Sequence, residues 1–210
     1  VNVSTHGKWY YNCSMMYTLA VAVLFLLVLP LQFCIAIALA VLSGFPIIFR
    51  QKRVGKNGKR FVMYKFRTMV HSADRLQRQY QRQNESKGPV FKIHNDPRFT
   101  GVGRFLSHTG LDELPQLYNV IRGDMAFIGP RPLPVTEAKQ LKPWMRERER
   151  VLPGIISPAV LTGRYHLDFD AWMRSDVAYV KSKSVRTDMV LFARCIPFIG
   201  RLFWRAIART

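Results

Sequence analysis

The sequence predicts an α+β chain, on three observations. A long uncharged run occupies the N-terminal region, Asn57-Gly58 stands between two β-prone runs, and apolar residues recur at helical spacing from Leu114 onward. The expected division is residues 1–44 as an apolar anchor and 45–186 as a domain. That domain would combine a small antiparallel hairpin or sheet with several helices. Residues 187–210 would form a basic amphipathic helix.

The N-terminal element comes first. From Met15 to Leu42 no charged residue occurs, and Trp9, Tyr10 and Tyr11 precede the run, where aromatic residues suit a membrane–water interface. As one straight helix the run would be roughly 42 Å long at 1.5 Å per residue, beyond the ~30 Å hydrocarbon core. Pro30 sits near its middle, where it removes a backbone hydrogen bond and crowds the preceding turn. Two forms follow: a kinked span with the basic end at Arg50–Arg53 in the cytoplasm, or a helix that breaks at Pro30 and returns. From the residues alone the span is preferred, since most long apolar runs cross. A cleaved signal peptide is not expected, because no basic segment precedes the run and the run is too long.

Charge divides the chain. Lys and Arg number 32 against 13 Asp and Glu, a net +19; residues 1–49 contribute one of these charges, Lys8, so 50–210 carries +18. Such a surface calls for phosphates, whether of nucleic acid, anionic lipid or a nucleotide diphosphate. Cys13, Cys34 and Cys195 are far apart and read as reduced thiols, and neither they nor the five histidines show metal-ligand spacing.

The hairpin follows Gly44-Phe45-Pro46. Its two arms are an apolar run from Pro46 with a basic tail, and Phe61 to Met69. Asn57-Gly58 is a strong turn signal, and it gathers Lys52, Arg53, Lys56, Lys59 and Arg60 near the membrane, where binding of anionic lipid is the plainer reading. Lys65 and Arg67 alternate with Tyr64, Phe66 and Met69, share one strand face and need a counter-anion. They are therefore candidate phosphate ligands.

Val70 to Lys87 reads as a solvated helix with Ser72 at its N-cap. Asp96-Pro97-Arg98 opens a turn, and Val102 to Ser107 is a short amphipathic segment. Lys139 to Arg150 is expected to be a surface element, interfacial through Trp144 and Met145 or simply solvated. Val151 to Arg164 reads as strand and turn, and Asp168 to Lys181 as a helix with Trp172, Val177 and Tyr179 partly buried. In the last segment Arg194, Arg201, Arg205 and Arg209 fall on one helical face opposite bulky apolar residues. That describes a helix lying in a membrane surface.

The stretch Gly110 to Pro134, GLDELPQLYNVIRGDMAFIGPRPLP, organises the rest. Asp112-Glu113 heads a segment with Leu114, Leu117, Tyr118 and Ile121 at helical spacing, and Arg131 is framed by Pro130 and Pro132. Acids and an arginine on stiff turns in a cationic chain suggest chemistry on an anion. The plainer reading makes Asp112 a helix cap and the Gly/Pro cluster an ordinary loop.

Together the pieces Phe45–Met69, Asp96–Leu106, Leu111–Pro132 and Pro153–Ile155 resemble, in order, the bacterial sugar transferases, the monotopic polyprenyl-phosphate phosphoglycosyl transferases. The resemblance covers nearly the whole chain, and the LDELPQ-to-GPRP block is its most specific part. It implies transfer of a phospho-sugar from a UDP-sugar to polyprenyl phosphate, undecaprenyl phosphate in bacteria, with Mg²⁺ and release of UMP. It places the protein at the cytoplasmic face of the inner membrane, at the start of exopolysaccharide, capsule or O-antigen assembly. It also implies a covalent intermediate on Asp112, with Glu113 as an orienting carboxylate. Both acids would be associated with the metal, and Lys65, Arg67, Arg131, Arg104 and Arg53 are candidate contacts to phosphate. The anchor, by the same resemblance, is re-entrant and breaks at Pro30.

Three departures from the family pattern stand out. Leu29-Pro30 replaces a Ser-Pro break, with Gln32 as a stand-in for the serine. Ser107-His108 replaces the usual arginines, whose duty is then lost or passes to Arg104. Ile156 to Val160 replaces a Thr-Gly-x-Ala-Gln pattern, which leaves the sugar open, as it leaves a homodimer open. The alternatives are a catalytically lost, membrane-anchored platform, motivated by Ser107-His108, and a nucleic-acid-binding protein, for which no recognition motif is present.

Overall fold

The computed structural model describes residues 17–86, 88–93, 95–161 and 168–208, with Ile207 described in its backbone alone. Trp9, Tyr10 and Tyr11, together with Arg164 and Arg209, lie outside the described residues. The fold is mixed α+β.

The apolar run forms two helices, α1 (Tyr17–Leu27) and α2 (Leu29–Ser43), bent by 49°. Neither helix alone is long and apolar enough to cross a membrane; the bent pair together is. The bend falls at Val28, two residues before the break expected at Pro30, which instead sits in the first turn of α2. Proline has no N–H to lose in a first turn, whereas its ring disrupts the turn behind it. The side chain of Gln32 does not take the role of the missing serine. It is buried and its amide nitrogen makes no hydrogen bond, although its backbone N–H does reach the Val28 carbonyl at 2.9 Å.

One face of each helix packs on the domain. Val21 joins Phe61, Met63, Leu117 and Val120, while Ile35 and Leu39 join Phe66 and Leu106. The opposite faces leave Leu19, Leu26, Leu27, Phe33, Val41 and Leu42 exposed.

The expected hairpin is present. Strands β1 (Ile48–Val54) and β2 (Arg60–Phe66) pair antiparallel, Phe49 opposite Lys65 and Arg53 opposite Phe61. Asn57 takes φ 55° in the connecting turn, a left-handed conformation that asparagine tolerates. Along the other edge of β1 lies β4 (Leu133–Pro134), giving the order β2-β1-β4. A second, parallel pair joins β3 (Ala126–Ile128) to β5 (Gly154–Ile156); β5 falls in the expected strand-and-turn region from Val151, whereas its pairing with β3 was not foreseen.

Between these strands lie helices α3 (Ala73–Gln79), α4 (Gly101–Thr109), α5 (Gln116–Ile121) and α6 (Val135–Ala138). Helix α3 is shorter than the expected solvated helix; Ser72 stands at its N-cap position but gives no side-chain cap. Ahead of α4, Asp96 and Arg98 close a buried ion pair at 2.6 Å that stiffens the approach. The C-terminal part holds α7 (Pro158–Leu161), α8 (Phe169–Ser182) and α9 (Val185–Ile207). Trp172, Val177 and Tyr179 of α8 are buried, more deeply than expected. Lys139 to Arg150 is no solvated helix: a 3₁₀ segment, Pro143–Arg150, buries Met145 and Arg148. Helix α9 buries Leu191 and Cys195 and exposes Met189, Phe192, Ile196 and Trp204.

Arg67 departs most from expectation. It lies just past β2 and is buried, turned toward the end of α2. Its guanidinium donates to the carbonyls of Phe45 and Gly44, both at 2.7 Å, and also to that of Ser43. The last carbonyls of a helix have no partner within it, and a cation there also meets the negative end of the helix dipole. Arg67 therefore closes α2 and ties the bent helix pair to the sheet, turned away from Lys65. Arg67→Met should cost about 3 kcal/mol, as buried carbonyls lose charge-assisted bonds. In thermal unfolding this reads as a Tm lower by roughly 6–12 °C.

Candidate active site

The acid pair sits in a 3₁₀ turn, Leu111–Glu113, entered through Gly110 at φ 78°. That left-handed residue ends α4, as glycine does at many helix C-termini. Asp112 caps nothing: α5 opens at Gln116 with Pro115 as its cap residue. In a 3₁₀ turn successive side chains diverge by about 120°, so the two carboxylates face different partners. Asp112, 5% exposed, looks toward Lys65, with Nζ 3.9 Å from Oδ2. Glu113 forms an ion pair with Arg131, Oε1 to Nη1 2.9 Å.

Each cation is placed by a different element. Lys65 lies near the end of β2, its ammonium 5.5 Å from the Phe49 ring centroid across the hairpin. Strand β2 is in turn held by Asn119 of α5, which is wholly buried. The Asn119 amide donates to the Val62 carbonyl at 2.7 Å and accepts from the Tyr64 N–H at 3.1 Å. A side chain thus completes the ladder on the edge of β2 and fixes the distance between the Lys65 strand and the Asp112 turn. Sequence reasoning missed it. The signal was an asparagine on the apolar face between Leu117 and Val120.

Arg131 sits in the Gly129–Pro132 turn, which is anchored to β5 by backbone contacts. The Gly129 N–H donates to Ile156 O at 3.0 Å, and the Gly154 N–H to Pro130 O at 2.9 Å. A Cβ on Gly154 would stand 2.1 Å from the Gly129 nitrogen, so the two strands approach this closely only because that residue is glycine. Arg53 donates to the Pro132 carbonyl at 2.8 Å.

Burial governs the electrostatics. Loss of water pushes the Asp112 carboxyl up to about 7; Lys65 and Arg131 pull it down and Glu113 pushes it up. Burial also lowers Lys65, against the pull of Asp112, with Arg53 and Arg131 lowering it further. Its side chain as a whole keeps 26% exposure. Glu137, which sequence reasoning also missed, is raised by burial, with Arg53, Arg131 and Arg148 pulling the other way.

The structure therefore brings Asp112, Glu113, Lys65, Arg131 and Arg53 together. It does not bring Arg67, for the reason above. Nor does Arg104 replace the missing arginine: it is exposed on α4 and acts on Asp96, while the cations acting on Asp112 are Lys65 and Arg131. His108 stacks edge-on against Phe99, centroids 6.2 Å apart. A depression of about 350 Å³, lined in part by Gln140, Lys142, Asp168 and Phe169, contains none of the clustered charges. The charges converge instead at the cluster, where a buried carboxylate meets fixed cations.

The Bacterial sugar transferase family matches residues 10–201. The chain belongs to this family. Among sugar transferase relatives, the undecaprenyl-phosphate galactose phosphotransferase of Salmonella typhimurium is 37% identical over 167 residues, covering 76% of this chain and 34% of that protein. The UDP-glucose:undecaprenyl-phosphate glucose-1-phosphate transferase of Escherichia coli is 37% identical over 173 residues, covering 78% and 35%. Exopolysaccharide production protein ExoY of Sinorhizobium fredii is 33% identical over 184 residues, covering 85% and 81%. The chain thus spans about a third of the length of the first two and most of the third.

Asn119→Ala should cost about 2–3 kcal/mol, since it leaves a buried N–H and C=O unpaired. The loss would be read in chemical unfolding. The same variant should show an altered Lys65 titration in NMR, because the strand that carries the lysine is no longer registered on α5.

Proposed function

We propose that the chain transfers a sugar 1-phosphate from a UDP-sugar to undecaprenyl phosphate, releasing UMP and opening the assembly of an exopolysaccharide or capsule. The observation that carries this reading is a buried carboxylate, Asp112, facing Lys65 beside the Glu113–Arg131 pair, in a chain of the sugar transferase family. An Asp112 oxygen attacks the phosphorus nearest the sugar. The bond from that phosphorus to the bridging oxygen breaks, UMP leaves with the oxygen, and an aspartyl phospho-sugar remains. An oxygen of undecaprenyl phosphate then attacks the same phosphorus, displaces the carboxylate and takes the phospho-sugar as a diphosphate. No proton need move in either displacement.

Lys65 and Arg131 supply fixed positive charge where the diphosphate is split, in surroundings poor in water, where such charge is most effective. Glu113 aims Arg131. Arg53, through the Pro132 carbonyl, steadies the turn and adds to the positive field. Mg²⁺ is an ion held through one or two carboxylates and completed by water and substrate phosphate, so a single acid of the turn suffices as its protein ligand. Asp112 or Glu113 would hold it, and bound there it neutralises diphosphate charge.

The bent α1–α2 pair enters and leaves on one side of the membrane, with its exposed outer face in lipid. The basic hairpin beyond it sets that side as cytoplasmic, where basic residues next to apolar segments collect. Helix α9 lies along the same surface.

The test is UMP release by nanodisc-held protein with Mg²⁺, undecaprenyl phosphate and a panel of UDP-sugars. Asp112→Asn should lose at least 10³-fold, in keeping with removal of a covalent nucleophile. Silence of the folded wild-type chain across the panel would favour a membrane-anchored platform without catalysis.

A pH profile adds a second check. The nucleophile must be ionised, and burial holds the Asp112 proton up to about pH 7. The single-turnover rate should therefore rise as pH increases through about 7. It should fall again below the usual lysine range, as the burial-lowered Lys65 loses its charge. A rate that does not rise between pH 5 and 9 would contradict the assignment of Asp112.

A further inference from the structure

Behind the Arg131 turn lies an ion pair that the proposed reaction does not use. Arg148, from the 3₁₀ segment Pro143–Arg150, is 5% exposed, and Asp176 of α8 is 0% exposed. Arg148 donates through Nε and Nη2 to Asp176 Oδ2, at 3.0 and 2.7 Å. The same Nη2 donates to the carbonyl of Arg131 at 2.5 Å. The guanidinium also lies 5.9 Å from the Trp172 ring centroid.

A pair this deep is a poor device for stability alone. Desolvation offsets most of its attraction, and an apolar pair of like volume commonly serves a fold as well. What an apolar pair cannot do is donate to a carbonyl. The contact falls on residue 131 itself, while its neighbours are held by other means: Gly129 and Pro130 by β5, and Pro132 by Arg53. Arg131 stands between two prolines, whose rings already limit the backbone. One further hydrogen bond at its own carbonyl removes the remaining freedom and sets where the side chain leaves the turn.

We infer that Arg148, held charged and oriented by Asp176, is a positioning residue for Arg131: it fixes the peptide from which the Arg131 guanidinium reaches Glu113 and the phosphates of the donor. This rests on the reading of Arg131 as a phosphate-holding group. Arg148 touches no reacting atom. It needs the planar fork of arginine, since one arm serves Asp176 and one nitrogen is shared with Arg131. A lysine can keep the ion pair but does not present that fork.

The experiment uses the full chain in nanodiscs and three measurements: melting temperature, exchange of the Gly129 and Gly154 amides that donate across the turn, and kcat and KM for UMP release. The variants are Arg148→Lys, the apolar pair Arg148→Met with Asp176→Leu, and each of these combined with Arg131→Ala. Expected are melting temperatures within a few degrees of wild type and turn amides exchanging at least tenfold faster. kcat/KM should fall by about 10²-fold, as for a misplaced binding group, with little further loss when Arg131→Ala is added.

Unchanged exchange of the turn overturns the inference. So does a loss that multiplies in full with Arg131→Ala, because Arg148 would then act elsewhere. Should the wild-type chain release no UMP from any donor, the proposed reaction fails on its own account. The exchange arm would still decide whether Arg148 holds the turn.

Discussion

The burial of one carboxylate sets the terms for the rest of the domain. Removing Asp112 from water disfavours its charge, and that charge persists only if cations are held close enough to offset the lost hydration. A flexible loop could not provide them. Lys65 therefore comes from a strand, Arg131 from a turn locked between prolines and a neighbouring strand, and Arg53 from the strand between them. The three come from different parts of the sequence and are brought together by the sheet. The cluster is worth little without the architecture that holds it, since a carboxylate at the surface would be an ordinary, weakly nucleophilic acid.

The site shows how charge can be sorted by burial. The chain carries 32 basic residues, yet those that bear on the acid pair are few, and several others serve the fold. Arg67 closes the C-terminal end of α2, Arg98 folds back on Asp96, and Arg148 bridges the 3₁₀ segment and α8. Arginine suits these posts because its planar, always-charged fork can satisfy several acceptors at once. A strongly basic composition thus reports on two things, an anionic substrate or surface and an interior stitched by guanidinium groups.

Much of this was legible in the sequence. The hairpin was, because Asn57-Gly58 names its own turn, and so was the acid pair beside the Pro-flanked arginine, because those residue types are rarely placed together without cause. That Asp112 and Glu113 meet different partners was within reach of the sequence, because neighbouring side chains on a helical turn point well apart. The roles of Arg67 and Arg104 were not legible. Spacing along a strand or helix says which face a cation takes, but not which carbonyls or carboxylates the fold brings to meet it. Asn119 and Arg148 were hidden for opposite reasons: one is a lone polar residue in an apolar helix, the other is lost in the charge run RERER. Both depend on partners distant in sequence, Val62 and Asp176, and no local pattern carries that information. The bend at Val28 was displaced from Pro30 because a proline disrupts the turn behind it.

The seat of Asn119 has a bearing beyond catalysis. Strand β2 is the outer strand of its sheet, and an outer strand with free N–H and C=O groups is a template on which other chains can add. A helix laid alongside would not by itself prevent this, because helices have spent their own backbone bonds. The Asn119 amide, with a donor and an acceptor at nearly the spacing of a peptide group, occupies those positions as a fragment of strand would. The side chain that registers Lys65 on the acid turn thereby also covers two backbone groups of the sheet's outer edge. One amide thus serves both the spacing of the charged cluster and the cover of the sheet edge.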